Sequence, residues 1–360
     1  MASNLAQWGN KLHSGETTYS IVGNRKRWFM VSAVLMLISI GILVGKGLNL
    51  GIDFTGGAQY VVPNVETTSP EPAEEAVAEI APGQEPRVTT LGENDIRVQL
   101  GEITSEQQQE LTTALADAYG VDESTISFDQ IGPTWGAAVG QQALQGLVIF
   151  LLLVFVVISV YFRAWRMAAA AIIALIHDLL FTVGIYALSG FEVTPASVIG
   201  FLTILGYSLY DTVVVFDKVN ENTRHFDSQV RYTYAELANL AVNQTLVRSI
   251  NTSVVALLPV SSILFIGSYL LGAGTLKDIA LALFIGMAVG TYSSIFVATP
   301  LEVALRAREP KIAAHTKKVL ELRESGETEV ARTEDGSVRV GALKPGEHKG
   351  QGAQPKRKRK

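Results

Sequence analysis

Three ionisable side chains fall where the chain is too apolar to solvate them. Asp211 lies inside the apolar stretch 198–216, Asp178 lies beside His177 within 167–188, and Arg248 stands at the start of a third stretch. A carboxylate near the centre of a membrane helix costs about 2.5–3.5 kcal/mol on insertion scales, so such groups face a protein interior or a water-filled cavity and mark functional sites. Counting about 1.5 Å per residue back from position 217 puts Asp211 about 9 Å inside the boundary. Arg248 starts nearer that boundary, but its long side chain can reach towards Asp211. A carboxylate and a guanidinium at similar depth neutralise one another at lower desolvation cost than either alone. Such a pair is either a fixed clamp or a relay that opens when Asp211 takes up a proton. Asp178 can serve as a second proton site or as a structural carboxylate satisfied by its neighbours. His177, Ser208, Thr212, Asn251 and Thr252 supply imidazole, hydroxyl and amide groups for a supporting polar seam.

Elements that could position these groups are visible as apolar runs. Residues 28–46, 144–162, 167–188, 195–216, 250–271 and 279–305 are each close to the length needed to cross a hydrocarbon core about 30 Å thick. Basic residues near the run ends concentrate at 25–27, 163–166, 218–248 and 306–318. By the positive-inside rule both termini are then cytoplasmic and the segment after Lys46 is outside the cell. The expected organisation is a cytoplasmic segment 1–27, a first helix 28–46, an external domain 47–138, and five further helices within 139–306. A cytoplasmic loop 218–243 and a disordered, basic-ended tail 307–360 complete it. Gly200, Gly206, Gly286 and Gly290 offer small surfaces for close helix approach.

The external segment alternates element types: strand 58–62, helix 73–80, strands 87–91 and 96–100, a helix from Thr104 that stops at Gly120, and a last strand 125–130. That βαββαβ order is the ferredoxin-like arrangement, and the Pro/Glu-rich insert 63–86 lengthens its first connection. The fold class is therefore a polytopic α-helical membrane protein of six spans with one external α+β domain between the first two.

Composition agrees: 48% of the 360 residues are hydrophobic and only 18% are charged, which a soluble globule of this size does not show. No cysteine is present, which removes disulfides, thiolate metal sites and thiol nucleophiles. Phosphate-binding loops, GxSxG elbows and HExxH pairs are absent, so the sequence points to no enzyme, cofactor or metal. A single carboxylate without a carbonyl-rich helix break favours protons over sodium as coupling ion. The tail ends in the basic run 355–360, suited to anionic lipid or ribosomal RNA.

Four motifs carry a resemblance: Gly51-Ile-Asp53-Phe54-Thr-Gly56-Gly57, Leu175-Ile-His177-Asp178, the run from Gly206 to Asp217, and the run from Asn243 to Ser253. In that order and topology the chain resembles the SecF family, the smaller membrane subunits of the bacterial SecDF protein-export complex, within the RND superfamily. The resemblance implies an RND half of six helices that pairs with SecD. It also implies use of the proton motive force to promote passage of preproteins through SecYEG, with YajC and YidC as further partners. It implies proton-pathway roles for Asp211 and Arg248 and a more structural one for Asp217. Two other readings stand beside it, an RND-type lipid or drug exporter half and a structural subunit that conducts no ions.

Overall fold

The computed structural model describes residues 4–92, 94–267, 274–332 and 338–340. Among them are six helices long and apolar enough to cross a membrane. The first four are Arg25–Lys46, Pro133–Phe162, Trp165–Ser189 and Pro195–Thr223. The fifth is Tyr234–Ser262, continued by a π-helical turn Ile263–Gly267. The sixth is Gly274–Ser293, continued by a π-helical turn Ser294–Ala298 and the helix Thr299–Arg306. The end of the run expected at 250–271, and the whole of the basic run 355–360, lie outside the described residues.

About half of the most apolar window is buried in the third, fourth and sixth spans, against 11% in the first and second and 17% in the fifth. The two carboxylates therefore sit on well-buried helices. The chain divides into two compact units.

The larger unit comprises residues 30–210 and 252–293. Its α+β domain contains β1 (Gly57–Val62), α1 (Glu71–Ile80), β2 (Arg87–Leu91), β3 (Asp95–Leu100), α2 (Ser105–Tyr119) and β4 (Ser127–Ile131). The sheet order is β2-β3-β1-β4 with every neighbouring pair antiparallel, which is the split βαβ topology the element order predicts. Alternation decides its faces. Ala58, Tyr60, Val62, Ile96, Val98 and Leu100 point into a core shared with Val77 of α1 and with Leu111 and Leu115 of α2. Gln59, Arg97 and Gln99 point the other way. A Thr104–Gln107 capping box starts α2, and Gly120, in the left-handed region, ends it.

The glycine-rich motif joins this domain to the spans. Ile52–Thr55 is a single helical turn, after which Gly56 and Gly57 have φ of 77° and 132°. A Cβ at Gly57 would overlap the Leu100 carbonyl, so only glycine lets β1 start against β3 here. At the head of the second span, a Cβ on Gly136 would stand 2.6 Å from the Phe54 carbonyl oxygen. Close approach of the fourth and sixth spans depends on Gly286 and Gly290, which face Ile204 and Ser208. Gly200 meets Ala282 in the same seam, whereas Gly206, expected to help, has no neighbour within 4 Å.

The smaller unit comprises residues 1–29, 211–251 and 294–360. Here two expectations are corrected, for the loop 218–243 and for the tail. The segment 1–27 contains the helix Asn4–His13, which buries Leu12. Asn239 and Asn243 grip the stretch that follows, both accepting from and donating to main-chain groups of Tyr19 and Val22 at 2.7–3.0 Å. The loop expected at 218–243 is mostly helix, because the fourth span runs on to Thr223 and the fifth begins at Tyr234. A reciprocal Thr233–Glu236 cap starts it early: the Glu236 carboxylate accepts from Thr233 N at 2.8 Å, and Thr233 Oγ1 accepts from Glu236 N at 3.3 Å.

The tail from 307 is not disordered throughout, for Pro310–Glu324 is a helix that buries Ile312, His315 and Val319. Those three residues make one stripe, and Arg323 adds hydrogen bonds of 2.7–2.8 Å to Glu236.

Gly57→Ala should destabilise the full-length protein by about 1–3 kcal/mol, through both backbone strain and overlap. Gly45→Ala, where nothing lies within 4 Å, should not. Thermal unfolding of both variants in detergent measures the contrast.

Candidate functional site

Asp178 is buried to 1% exposure on the third span. Its Oδ2 accepts hydrogen bonds from Ser208 of the fourth span and, at 2.7 Å, from Ser293 of the sixth. The small surface at Gly290 lets the sixth span come close enough for Ser293 to reach. His177 Nδ1 lies 3.1 Å from Asp178 Oδ1. The other imidazole nitrogen, Nε2, is buried with no hydrogen-bond partner among the described residues. Its ring is stacked on Phe181 and tilted against Tyr292, with centroids 6.4 and 6.3 Å away.

Asp211 is buried to 5% exposure on the fourth span. Its Oδ1 accepts from Ser249 of the fifth span at 2.7 Å, and its Oδ2 accepts from Ser294 of the sixth. Each carboxylate thus takes hydroxyl donors from two other helices. The two serines supplied by the sixth span, Ser293 and Ser294, are consecutive in the chain.

Consecutive residues of an α-helix diverge by about 100°. The π-helical turn begins at Ser294, and Thr299 Oγ1 bonds back to the Ser294 carbonyl at 3.3 Å. Pro300, which has no N–H to give, follows directly. The local change of winding falls where the two serines address different carboxylates, and π-bulges in helices frequently sit at functional sites.

Arg248 does not pair with Asp211. Its side chain is exposed and makes no ion pair among the described residues. The reason is helical register: with Ser249 turned onto the carboxylate, the preceding residue points about 100° away. Asn251, three residues on, is exposed on the same side as Arg248, and Thr252 is half-buried. Thr212 is buried, but its hydroxyl has no partner among the described residues. Asp217 is exposed. Of the expected seam, then, His177 and Ser208 meet a carboxylate, whereas Asn251, Thr252 and Thr212 do not, and Arg248 of the expected proton pathway does not either.

Ser249, Ser293 and Ser294 were missed in the sequence. A serine is common enough in membrane helices to carry no signal alone, and only the Ser293-Ser294 pair ahead of Thr299-Pro300 could have raised one. Away from the spans, Asp53 of the glycine-rich motif is partly buried. Burial first, and the neighbouring Glu192 carboxylate second, hold its carboxyl above the usual range.

The arrangement suits one kind of chemistry. A serine hydroxyl donates to an ionised carboxylate and can turn to accept from a protonated one. Both cradles can therefore hold Asp178 and Asp211 with or without a proton.

Comparison with known proteins adds a second line. Residues 110–308 match the family model described as protein export membrane protein SecD/SecF, C-terminal, and residues 41–63 match the SecD/SecF GG motif. The chain is 49% identical to the protein translocase subunit SecF of Streptomyces coelicolor, over 90% of this chain and 86% of that one. It is 44% identical to SecF of Mycobacterium tuberculosis, over 91% of this chain and 76% of that one. The crystal structure of SecDF from Thermus thermophilus aligns with a TM-score of 0.72 at 32% identity. It covers 82% of this chain, which spans only 39% of the longer SecDF chain.

Ser249→Ala should lower stability by about 1–3 kcal/mol, because it strips a buried carboxylate of a donor. Arg248→Ala should stay within about 0.5 kcal/mol. Thermal unfolding of the two variants in the same detergent identifies the partner that Asp211 uses within this chain.

Proposed function

The chain belongs to the SecD/SecF family of protein-export membrane proteins, and from that we propose that it is a SecF-type subunit that spends the proton motive force on export. The observation that carries the reading is Asp211, buried on the fourth span between the hydroxyls of Ser249 and Ser294. Taking up a proton there removes a buried charge and turns one of the two serines from donor to acceptor. One elementary charge crossing 100 mV supplies about 2.3 kcal/mol. A few protons per cycle are then enough for a conformational stroke without covalent chemistry.

Asp178, with His177, Ser208 and Ser293, forms a second station of the same design in this reading. Basic residues at the span ends support cytoplasmic termini and an extracytoplasmic α+β domain.

Pairing with SecD is supported by the SecDF structure that the chain resembles and by the exposed side of the fifth span. Arg248 and Asn251 lie outward on a membrane helix, where lipid is a poor solvent for either. A partner subunit that presents a carboxylate or hydrogen-bonding groups to them would satisfy both. The relatives' function as translocase subunits supports the SecYEG channel as the place of action and unfolded preproteins as the clients.

Asp211→Asn is the test, in the complex with SecD reconstituted with the translocon. Assembly should persist, since the amide still bonds to both serines, and stimulation of export by a proton gradient should be lost. Undiminished gradient-dependent export by an assembled variant would refute the relay.

A further inference from the structure

We infer that Glu192 is a positioning residue that ties the fourth span to the α+β domain, so that movement of the helix carrying Asp211 reaches the sheet; the inference rests on the relay reading above. The covalent connections of the domain run to the first and second spans. None runs to the fourth.

Phe54 of the glycine-rich motif packs against the cluster that holds Phe201 and Ile204 of the fourth span, and the short stretch between the third and fourth spans adds a polar tie. Glu192 and Val193 pair in parallel with Asn49 and Leu50, and Gly51 N donates to the Val193 carbonyl at 3.0 Å. Asn49 also donates to the Gly190 carbonyl at 2.9 Å.

The Glu192 side chain then crosses to the polar face of the sheet. Its Oε2 accepts from Arg97 at 2.6 Å and its Oε1 from Gln99 at 2.6 Å, both residues on β3. Gln99 in turn donates to Gln59 of β1 at 2.9 Å, so the two central strands are held together under the same carboxylate. Arg97 and Glu192 are 16% and 15% exposed, which shields the pair from solvent and salt. A Cβ on Gly51 would stand 2.8 Å from Glu192 Oε1, so a glycine at this place in the motif leaves room for the carboxylate.

The other side of the joint is equally tight. Thr194 and Ser197 exchange side-chain to main-chain bonds of 3.2–3.3 Å around the first turn of the fourth span, and Thr194 Oγ1 donates to Asp278 of the sixth at 3.1 Å. Only Val193 and Thr194 separate Glu192 from Pro195, where the helix begins. Asp211 follows about 24 Å further along a continuous helix. A shift or rotation of that helix is therefore delivered to β3 through a charged, two-pronged contact rather than through a slack loop.

The chain has no native cysteine, so spin labels can be placed at Thr113→Cys on α2 and Thr203→Cys on the fourth span, both exposed. The measurement uses the full chain bound to SecD in liposomes, with ion flux and export stimulation recorded on the same preparations. Glu192→Ala should broaden the inter-label distance distribution and abolish most of the export stimulation while ion flux continues. The charge exchange Arg97→Glu with Glu192→Arg should narrow the distribution again and restore part of the stimulation.

A distribution left narrow by Glu192→Ala, or flux and export lost together, would overturn the inference. So would a charge exchange that folds and assembles yet restores neither property. Failure of the relay reading shows separately, as flux that Asp211→Asn does not change, and leaves the distance result to judge Glu192.

Discussion

A carboxylate in a hydrocarbon layer must have donors, and in this chain serines provide them. Asp178 and Asp211 are each held by hydroxyls from two other helices, with no guanidinium or ammonium on either among the described residues. Much of the bundle follows from that requirement. Ser293 and Ser294 have to be offered by one helix to two acids, and the winding changes to π at Ser294. Gly290 has to be small because Ser208 must stand between the fourth and sixth spans and still reach Asp178. A salt bridge would fix the charge state of its acid. A hydroxyl cradle tolerates both states, which is the property a site that gains and loses protons requires.

The parts of this architecture that sequence revealed are those that rest on strong, local signals. Six apolar runs announce six spans, and alternation in 58–62 and 96–100 announces strands whose inward residues form the core. The two acids stood out because charge inside an apolar run is rare. Depth along the helix points to Arg248 as the partner of Asp211, whereas direction around it selects Ser249. Arg248 and Ser249 differ by one residue along the helix, yet face directions about 100° apart.

The helix Pro310–Glu324 escaped for a different reason. Its buried stripe is only Ile312, His315 and Val319 in a segment otherwise rich in Lys and Glu, and a pattern so thin reads as solvated chain. The extension of the fifth span to Tyr234 was legible in principle, since Thr233 and Glu236 have capping-box spacing, but the polar residues around them masked it.

The glycine-rich motif and Glu192 also bear on when the molecule can be completed. Every core residue of the α+β domain has been synthesised once the chain reaches Phe128, so its hydrophobic centre is available early. Asn49, Leu50, Arg97 and Gln99, however, must wait for Glu192 and Val193, which emerge only after the second and third spans have been made. At about 5–20 residues per second that interval lasts seconds, long compared with the collapse of a small domain. The clamp on the polar face of the sheet is thus a late contact, added to a core and a glycine-motif joint whose residues are already made.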